Sequence, residues 1–201
     1  MTSTCSRKYY SSLPVVCQRQ FTYNEHRRYT RGGPGKASGQ SGGAIITMSI
    51  VNVAVISDTH GLLRREVVAE LQDCTHIIHA GDIVKETDLD ELRLYGNIFA
   101  VRGNNDLWQD GLRNLAHVLR FEIAGVRFLM AHDRYDLPRD LAGVQAVICG
   151  HSHRYSEEWI GGRLWLNPGS CGRSRFGSAV TMAKLKLRDG KILGVNRIDF
   201  E

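Results

Sequence analysis

The chain has 201 residues, enough for one domain of ordinary size, and 42% of them are hydrophobic. No apolar run reaches the roughly 18 residues that a membrane-spanning helix needs, so no membrane segment is expected. The net charge of +5 arises in residues 1–47, which carry seven basic residues and one acidic residue. Residues 48–201 carry 19 basic and 20 acidic residues. A nucleic-acid-binding surface on residues 48–201 is therefore not supported.

Residues 1–47 are rich in Ser, Thr, Arg and Gly and show neither helical nor strand periodicity. Such a composition buries too little apolar surface to order itself. We therefore expect a disordered basic extension, with translation from an upstream start codon as one origin, and a folded domain over residues 48–201 that begins at Met48. An organelle-targeting peptide and a nucleic-acid-binding arm remain alternatives for the extension, because composition does not separate them.

The first half of residues 48–201 alternates between apolar strands and helical segments. In chain order these are a strand Val51–Ile56, a helix with Leu63, Val67, Val68 and Leu71 on one face, a strand His76–His79, a helical segment Asp88–Leu94 and a strand Ile98–Val101. The β-α-β-α-β order predicts a parallel sheet with right-handed crossovers.

Glycine-containing turns separate paired strands in the second half. The predicted hairpins are Leu119–Ile123 with Val126–Met130, Glu157–Ile160 with Arg163–Leu166, and Ala179–Leu187 with Ile192–Ile198, and Val144–Cys149 is a further buried strand. Asp-Gly between the last pair is the strongest of these turn patterns. A parallel half followed by hairpins predicts two sheets packed face to face with helices outside.

The five cysteines are odd in number and have no C-x-x-C spacing; they are Cys5, Cys17, Cys74, Cys149 and Cys171. Together with the lack of a visible signal peptide, this favours free thiols in a reducing compartment. We therefore expect a cytoplasmic protein.

Polar side chains that are able to bind metal follow most of the predicted strands. They are Asp58 and His60, Asp82, the run Asn104, Asn105 and Asp106, His132, and the pair His151 and His153. Each group alone is more often an ordinary turn or strand end. Ligands of open α/β sheets bind beyond the carboxyl ends of the strands, so the recurrence at these ends indicates one common site. Carboxylate and amide oxygens mixed with imidazoles favour Mn²⁺, Fe, Co, Ni or Zn over Ca²⁺.

In this order the residues resemble the five motifs of the calcineurin-like metallophosphoesterase superfamily: Asp58-x-His60, Gly81-Asp82, Gly103-Asn104-x-Asp106, His132 and Gly150-His151-x-His153. The compact size and the NPGS sequence at Asn167–Ser170 resemble its small prokaryotic phosphodiesterase branch. The resemblance covers residues 48–201. It implies an α/β fold, a four-layer α/β/β/α sandwich with two mixed β-sheets, and a dinuclear metal site at the strand ends.

By position, the resemblance implies that one metal binds Asp58, His60 and His153, that the other binds Asn104, His132 and His151, and that Asp82 bridges the two. Two divalent ions are expected, with Mn²⁺ as the expected ion and Ni, Co, Fe and Zn left open. They would activate a water as hydroxide near neutral pH for hydrolysis of a small phosphodiester. Self-association is left open.

Asn104 and Asn105 are the predicted catalytic residues, and Asn105 departs from the family pattern. Many members have a histidine there, and an amide donates a hydrogen bond but has no proton to give. Loss of a general acid costs about 10²–10⁴-fold with a poor leaving group, so we expect activated aryl phosphodiesters to be preferred over alkyl monoesters. Asp133 is expected to face solvent, with an influence on a metal ligand as the alternative. Arg102 and Arg154 are expected to lie at the surface or to contact phosphate.

A non-catalytic scaffold is the alternative function. A subunit of the eukaryotic retromer complex has this fold, a compromised metal site and protein partners, and it also lacks the catalytic histidine. The presence of all seven predicted ligands in this chain favours the enzyme.

Overall fold

The computed structural model describes residues 49–175 and 177–201, so the predicted extension and its boundary at Met48 lie outside the described residues. The strands are β1 (Val51–Ile56), β2 (His76–His79), β3 (Asn97–Ala100), β4 (Val118–Ile123), β5 (Val126–Ala131), β6 (Ala146–Ile148), β7 (Tyr155–Ile160), β8 (Arg163–Pro168), β9 (Val180–Arg188) and β10 (Lys191–Phe200). The helices are α1 (Arg65–Leu71), α2 (Glu86–Leu92), α3 (Asp110–Arg113) and a 3₁₀ turn, Arg134–Asp136.

The strands form two five-stranded sheets, in the orders β10-β9-β1-β2-β3 and β4-β5-β6-β8-β7. In the first sheet β1, β2 and β3 are parallel, β9 is antiparallel to β1, and β10 is antiparallel to β9. In the second, β5, β6 and β8 are parallel and the edge strands β4 and β7 are antiparallel to their neighbours. The predicted parallel half, the three hairpins and the two mixed sheets are therefore confirmed.

The main core lies between the sheets, because successive side chains along a strand point to opposite faces and every second one therefore lies on the inner face of its sheet. Val53 and Val55 of β1 face Phe128 and Met130 of β5 in one buried cluster. Burial of each such side chain away from water stabilises the fold by roughly 1.5–3 kcal/mol. This packing holds the carboxyl ends of the strands of both sheets at one edge.

The outer faces of the two sheets are covered differently. Val67 and Leu71 of α1 pack on Ile56 of the first sheet. On the second sheet, Leu129, Val147 and Cys149 are packed by partly buried side chains that include Leu137 and Leu141, from the segment between the 3₁₀ turn and β6. The four-layer fold class is confirmed, but in the described residues the layer over the second sheet contains no α-helix.

The remaining differences concern the ends of elements and one missed helix. The helical segment predicted at Asp88–Leu94 is α2, which ends at Leu92, and the strand predicted at Val144–Cys149 is shortened to β6. The four-residue helix α3 was not predicted, since one turn is too short to show helical periodicity. Within the described part of the chain, no helix is both long and apolar enough to cross a membrane.

Candidate metal centre

Backbone hydrogen bonds join the loop after β1 to the loop after β2, and the first predicted ligands lie in these loops. Asp58 N donates to Gly81 O at 3.0 Å, and His60 N donates to Asp82 O at 3.0 Å. These bonds continue the parallel β1–β2 ladder past the strand ends. The side chains of Asp58, His60 and Asp82 are therefore held at the shared edge of the sheet.

Asp58, His60 and His153 form a first group of predicted ligands, whose ligand atoms lie within 4.8 Å of one another. His153 Nε2 lies 3.2 Å from Asp58 Oδ1 and 3.2 Å from His60 Nε2. Asp58 and His153 are buried, although they are 95 positions apart in the numbering. Only the packing of the second sheet on the first brings them together.

Asp82, His132, His151 and Asn104 form a second group beside the first. His132 Nε2 lies 3.4 Å from Asp82 Oδ2 and 3.3 Å from His151 Nδ1. The Nδ1 atom of His151 lies 3.1 Å from Asn104 Oδ1. The same Asp82 oxygen is 3.7 Å from His60 Nε2 of the first group. Asp82 thus lies between the two groups, and the structure brings all seven predicted ligands together.

Asp58 has an oxygen that is suited to a cation. Its Oδ2 accepts from Ser57 Oγ at 2.7 Å and from His151 N at 3.1 Å, whereas its buried Oδ1 makes no hydrogen bond and has only the imidazole Nε2 atoms of His153 and His60 beside it, at 3.2 and 3.8 Å. A buried carboxylate oxygen without a partner is costly unless a cation binds it. The donor set of carboxylates, imidazoles and one amide oxygen fits divalent transition metals.

Hydrogen bonds set which imidazole nitrogen faces the site. His132 Nδ1 lies 2.7 Å from Ala80 O, so it carries the proton and leaves Nε2 directed at Asp82. His151 directs Nδ1 inward, and its Nε2 lies 3.7 Å from Asp133 Oδ2. The expectation that Asp133 faces solvent is therefore wrong in part: it also accepts from Tyr135 N at 3.0 Å and begins the 3₁₀ turn.

The charges of the site are strongly coupled. Burial opposes ionisation of Asp82, but the hydrogen bonds from His132 and Asn105 outweigh it and hold the pKa of Asp82 well below its usual range. Burial likewise opposes protonation of His132, but the bond with Asp82 raises the pKa of His132 to about 9. Burial lowers the pKa of His60, against the charge of Asp82, and the positive charge of Arg175 lowers it further. A metal that binds at His132 therefore displaces a proton at neutral pH.

Five of the seven predicted ligands have positive φ although none is glycine. The values are 54° for Asp58, 49° for His60, 56° for Asp82, 67° for His151 and 57° for His153. Such backbone is strained in L residues and clusters at functional sites, where surrounding bonds hold it.

Asp106 supplies some of those bonds. Its carboxylate accepts from Gly103 N and from Val84 N, both at 2.7 Å, and Val84 has a φ of 74° that is unusual for a β-branched residue. Asp106 is part of the third sequence motif, yet its supporting role follows from the fold alone.

The NPGS segment supplies further support that the sequence did not assign. Ser170 Oγ donates to Asp58 O at 2.9 Å, and Asn167 Nδ2 donates to Gly150 O at 2.6 Å.

His79 is buried between Thr59 Oγ1 and Gly81 N, at 3.1 and 3.2 Å, and burial lowers the pKa of its imidazole to about 4. His79 therefore has a structural role beside the site.

Asn105 contacts Asp82 twice. Its backbone N donates to Asp82 Oδ1 at 2.8 Å, and its side-chain Nδ2 donates to Oδ2 at 2.6 Å. The second hydrogen of Nδ2 is not used by that bond. By contrast, Arg102 donates to the carbonyls of Arg113 and Leu115, so its guanidinium stabilises the loop around α3.

A family model for the calcineurin-like phosphoesterase superfamily domain matches residues 32–190, beginning within the predicted extension. A probable metallophosphoesterase of Methanocaldococcus jannaschii is 30% identical over 129 residues, which are 59% of this chain and 67% of the relative. An archaeal phosphodiesterase superposes with a TM-score of 0.61 at 24% identity, over 75% of this chain and 100% of its own. Vacuolar protein sorting 29 of Cryptosporidium parvum superposes with a TM-score of 0.59 at 17% identity, over 75% of this chain and 98% of its own. At these identities the two structures share the fold.

Proposed function

The chain belongs to the calcineurin-like phosphoesterase superfamily, and from this premise we propose that it is a metal-dependent phosphodiesterase that hydrolyses a small phosphodiester. The observation that carries the proposal is the clustering of the seven predicted ligands in two adjoining groups, with the buried Oδ1 of Asp58 left without a hydrogen-bond partner. A structural role for this set would leave a buried carboxylate oxygen unsatisfied.

The residues present fit two divalent ions, with Mn²⁺ as the proposed metal. Asp58, His60 and His153 would hold one, Asn104, His132 and His151 the other, and Asp82 both. When bound, such ions supply positive charge to the phosphate oxygens and acidify a water for attack at neutral pH.

The other steps belong to the chain itself. Asn105 fixes both oxygens of Asp82, and its remaining amide hydrogen is free to donate to a phosphate oxygen. Asn104 Oδ1 helps to orient His151. His151 is half exposed, which supports a substrate entrance on its side of the site. With an amide at position 105, the leaving group must depart without a proton from that residue, and aryl diesters tolerate this best.

A scaffold remains the second candidate. Trp108 and Leu107 directly follow the third motif and are 90% and 51% exposed, and large exposed apolar side chains favour a protein contact. Vacuolar protein sorting 29 shares the fold, and its name associates that protein with sorting. A scaffold of this kind would bind metal without turnover.

We also propose a cytoplasmic location. Cys74, Cys149 and Cys171 are free and buried, and burial raises the pKa of each thiol to about 12, so they are unreactive. Such thiols fit a reducing compartment without a disulfide framework.

The test is hydrolysis of bis(p-nitrophenyl) phosphate with Mn²⁺ and with EDTA, alongside the metal content of the protein. We expect turnover that EDTA abolishes, and Asp82→Asn should remove it while the far-UV spectrum is unchanged. Asp90→Asn is the matched control, since Asp90 is an exposed residue of α2 paired with Arg93. Stoichiometric metal without turnover of any diester would replace the enzyme by the scaffold.

A further inference from the structure

Two polar side chains that are not predicted ligands are completely buried beside the candidate metal centre. His79 is the last residue of β2 and lies three positions before Asp82, and Thr59 is the middle residue of the Asp-x-His motif. A buried polar side chain is costly to a fold unless hydrogen bonds satisfy it. The bonds that His79 and Thr59 make therefore indicate what these residues do.

Three hydrogen bonds run through His79 and Thr59 in one direction. A backbone N–H can only donate, so His79 Nδ1 accepts from Gly81 N at 3.2 Å. The proton of the neutral imidazole is therefore on Nε2, which donates to Thr59 Oγ1 at 3.1 Å. The Thr59 hydroxyl is then left to donate to Ile83 O at 3.5 Å. Burial lowers the pKa of His79 to about 4, which keeps the imidazole neutral near pH 7.

This chain of bonds joins the two segments that carry the strained ligands. Gly81 and Ile83 lie on either side of Asp82, and Thr59 lies between the two ligands of the first motif. The φ of Gly81 is 94° and that of Asp82 is 56°, and both ligands beside Thr59 also have positive φ. Left-handed backbone persists only where the surrounding structure holds it. His79 holds both segments from inside the fold, through one imidazole ring.

We propose that His79 is a positioning residue for the metal centre, which fixes the spacing between the Asp-x-His motif and Asp82 through its Nε2–H bond to Thr59. The spacing concerned is the 3.7 Å between His60 Nε2 and Asp82 Oδ2. This inference rests on the proposed metal centre. His79 touches neither metal nor substrate and acts through the residues beside the ligands. Groups that orient metal ligands in this way typically change metal affinity about 10–100-fold when they are removed.

A double-mutant cycle isolates the bond between His79 and Thr59. His79→Asn keeps an acceptor for Gly81 N at the place of Nδ1 but loses the donor to Thr59, and Thr59→Val keeps the shape but loses the hydroxyl. The metal-free full chain is titrated with Mn²⁺ and followed by calorimetry. We expect each variant to bind Mn²⁺ about tenfold more weakly, and the double variant to lose no more than either alone, because both changes remove the same bond.

His76→Asn is the matched control for these titrations. It makes the same substitution at the other end of β2, where the half-buried imidazole bonds to Thr75 Oγ1 at 2.8 Å. We expect the wild-type Mn²⁺ affinity in this variant. Wild-type affinity in His79→Asn and Thr59→Val as well, even with a lowered free energy of unfolding, would mean a purely structural role and would overturn the proposal. A hundredfold loss in the double variant, the product of two independent effects, would also overturn it.

The tautomer of His79 gives a second readout that needs neither metal nor turnover. Long-range ¹⁵N–¹H correlation spectra of the metal-free protein distinguish the two nitrogens of each imidazole, and His79→Asn identifies the signals of His79. We expect a neutral ring protonated on Nε2, whereas protonation on Nδ1 would refute the chain of bonds. If the variants weaken Mn²⁺ binding as expected but the wild type hydrolyses no diester, the phosphodiesterase fails and the role of His79 stands.

Discussion

Asn105 should control metal affinity through Asp82, even though it is not a predicted ligand. Asn105→Ala removes the 2.6 Å bond from Nδ2 to Asp82 Oδ2 and leaves the backbone bond to Oδ1 in place. A hydrogen bond to a charged group contributes about 1.5–3 kcal/mol. Because each 1.4 kcal/mol is tenfold in affinity, we expect Mn²⁺ to bind about 10–100-fold more weakly.

The assay is titration of the metal-free full chain with Mn²⁺, followed by calorimetry, so that it does not depend on turnover. Asn196→Ala is the matched control, because Asn196 is an exposed residue of β10. If Asn105→Ala binds Mn²⁺ as tightly as the wild type and the Asn196 variant, Asp82 does not depend on this bond and the reasoning is wrong.

Three further predictions concern the stability of the site. Gly103→Ala should lower the free energy of unfolding in urea by about 1–3 kcal/mol, because its Cβ would overlap Asp82, whereas Gly194→Ala, with nothing within 4 Å, should be nearly neutral. Since the pKa of His132 is raised from 6.5 to about 9, its stabilisation of the metal-free protein is complete below about pH 6.5 and is lost as the pH rises through 9. The free energy of unfolding in urea should therefore fall between pH 6.5 and pH 9, and most of this fall should be absent in His132→Gln. The same fall in the variant and the wild type would contradict the ion pair. Removal of metal with EDTA should lower Tm, and Mn²⁺ should restore it in a concentration-dependent way; a Tm that is the same in both would argue against metal binding.

The sequence predicted the sheets well because their patterns are local. Continuous apolar runs ending in polar residues marked β1 and β2, and Gly-containing turns marked the hairpins. The ends of α2 and β6 were less well predicted, since they depend on tertiary contacts rather than on composition. The outer layer over the second sheet was not predictable, because Leu137, Leu141 and Val144 pack on it at helical spacing although their segment forms no helix.

The candidate site was predictable in its members but not in its support. Asp58, Asp82 and His132 follow the ends of parallel strands, and such ends lie at one edge when the two sheets pack. The hydrogen bond from Ser170 to Asp58 and the 3.7 Å contact between His151 Nε2 and Asp133 Oδ2 join residues whose proximity only the packed sheets establish. A single sequence contains no local pattern for such pairs.

The left-handed backbone of the ligands bears on the choice between enzyme and scaffold. Strained residues of this kind cost of order 1–3 kcal/mol each, although Asp and His tolerate the conformation better than most. Five such residues, with the unpartnered oxygen of Asp58, therefore cost a large part of the roughly 5–15 kcal/mol by which a domain is stable. Metal binding offsets that cost directly, whereas a contact made by the exposed Trp108 and Leu107 does not reach the strained residues. A scaffold that uses only its surface would gain stability by relaxing these loops, so the strained geometry argues against a metal-free scaffold, and turnover separates the enzyme from a scaffold that binds metal.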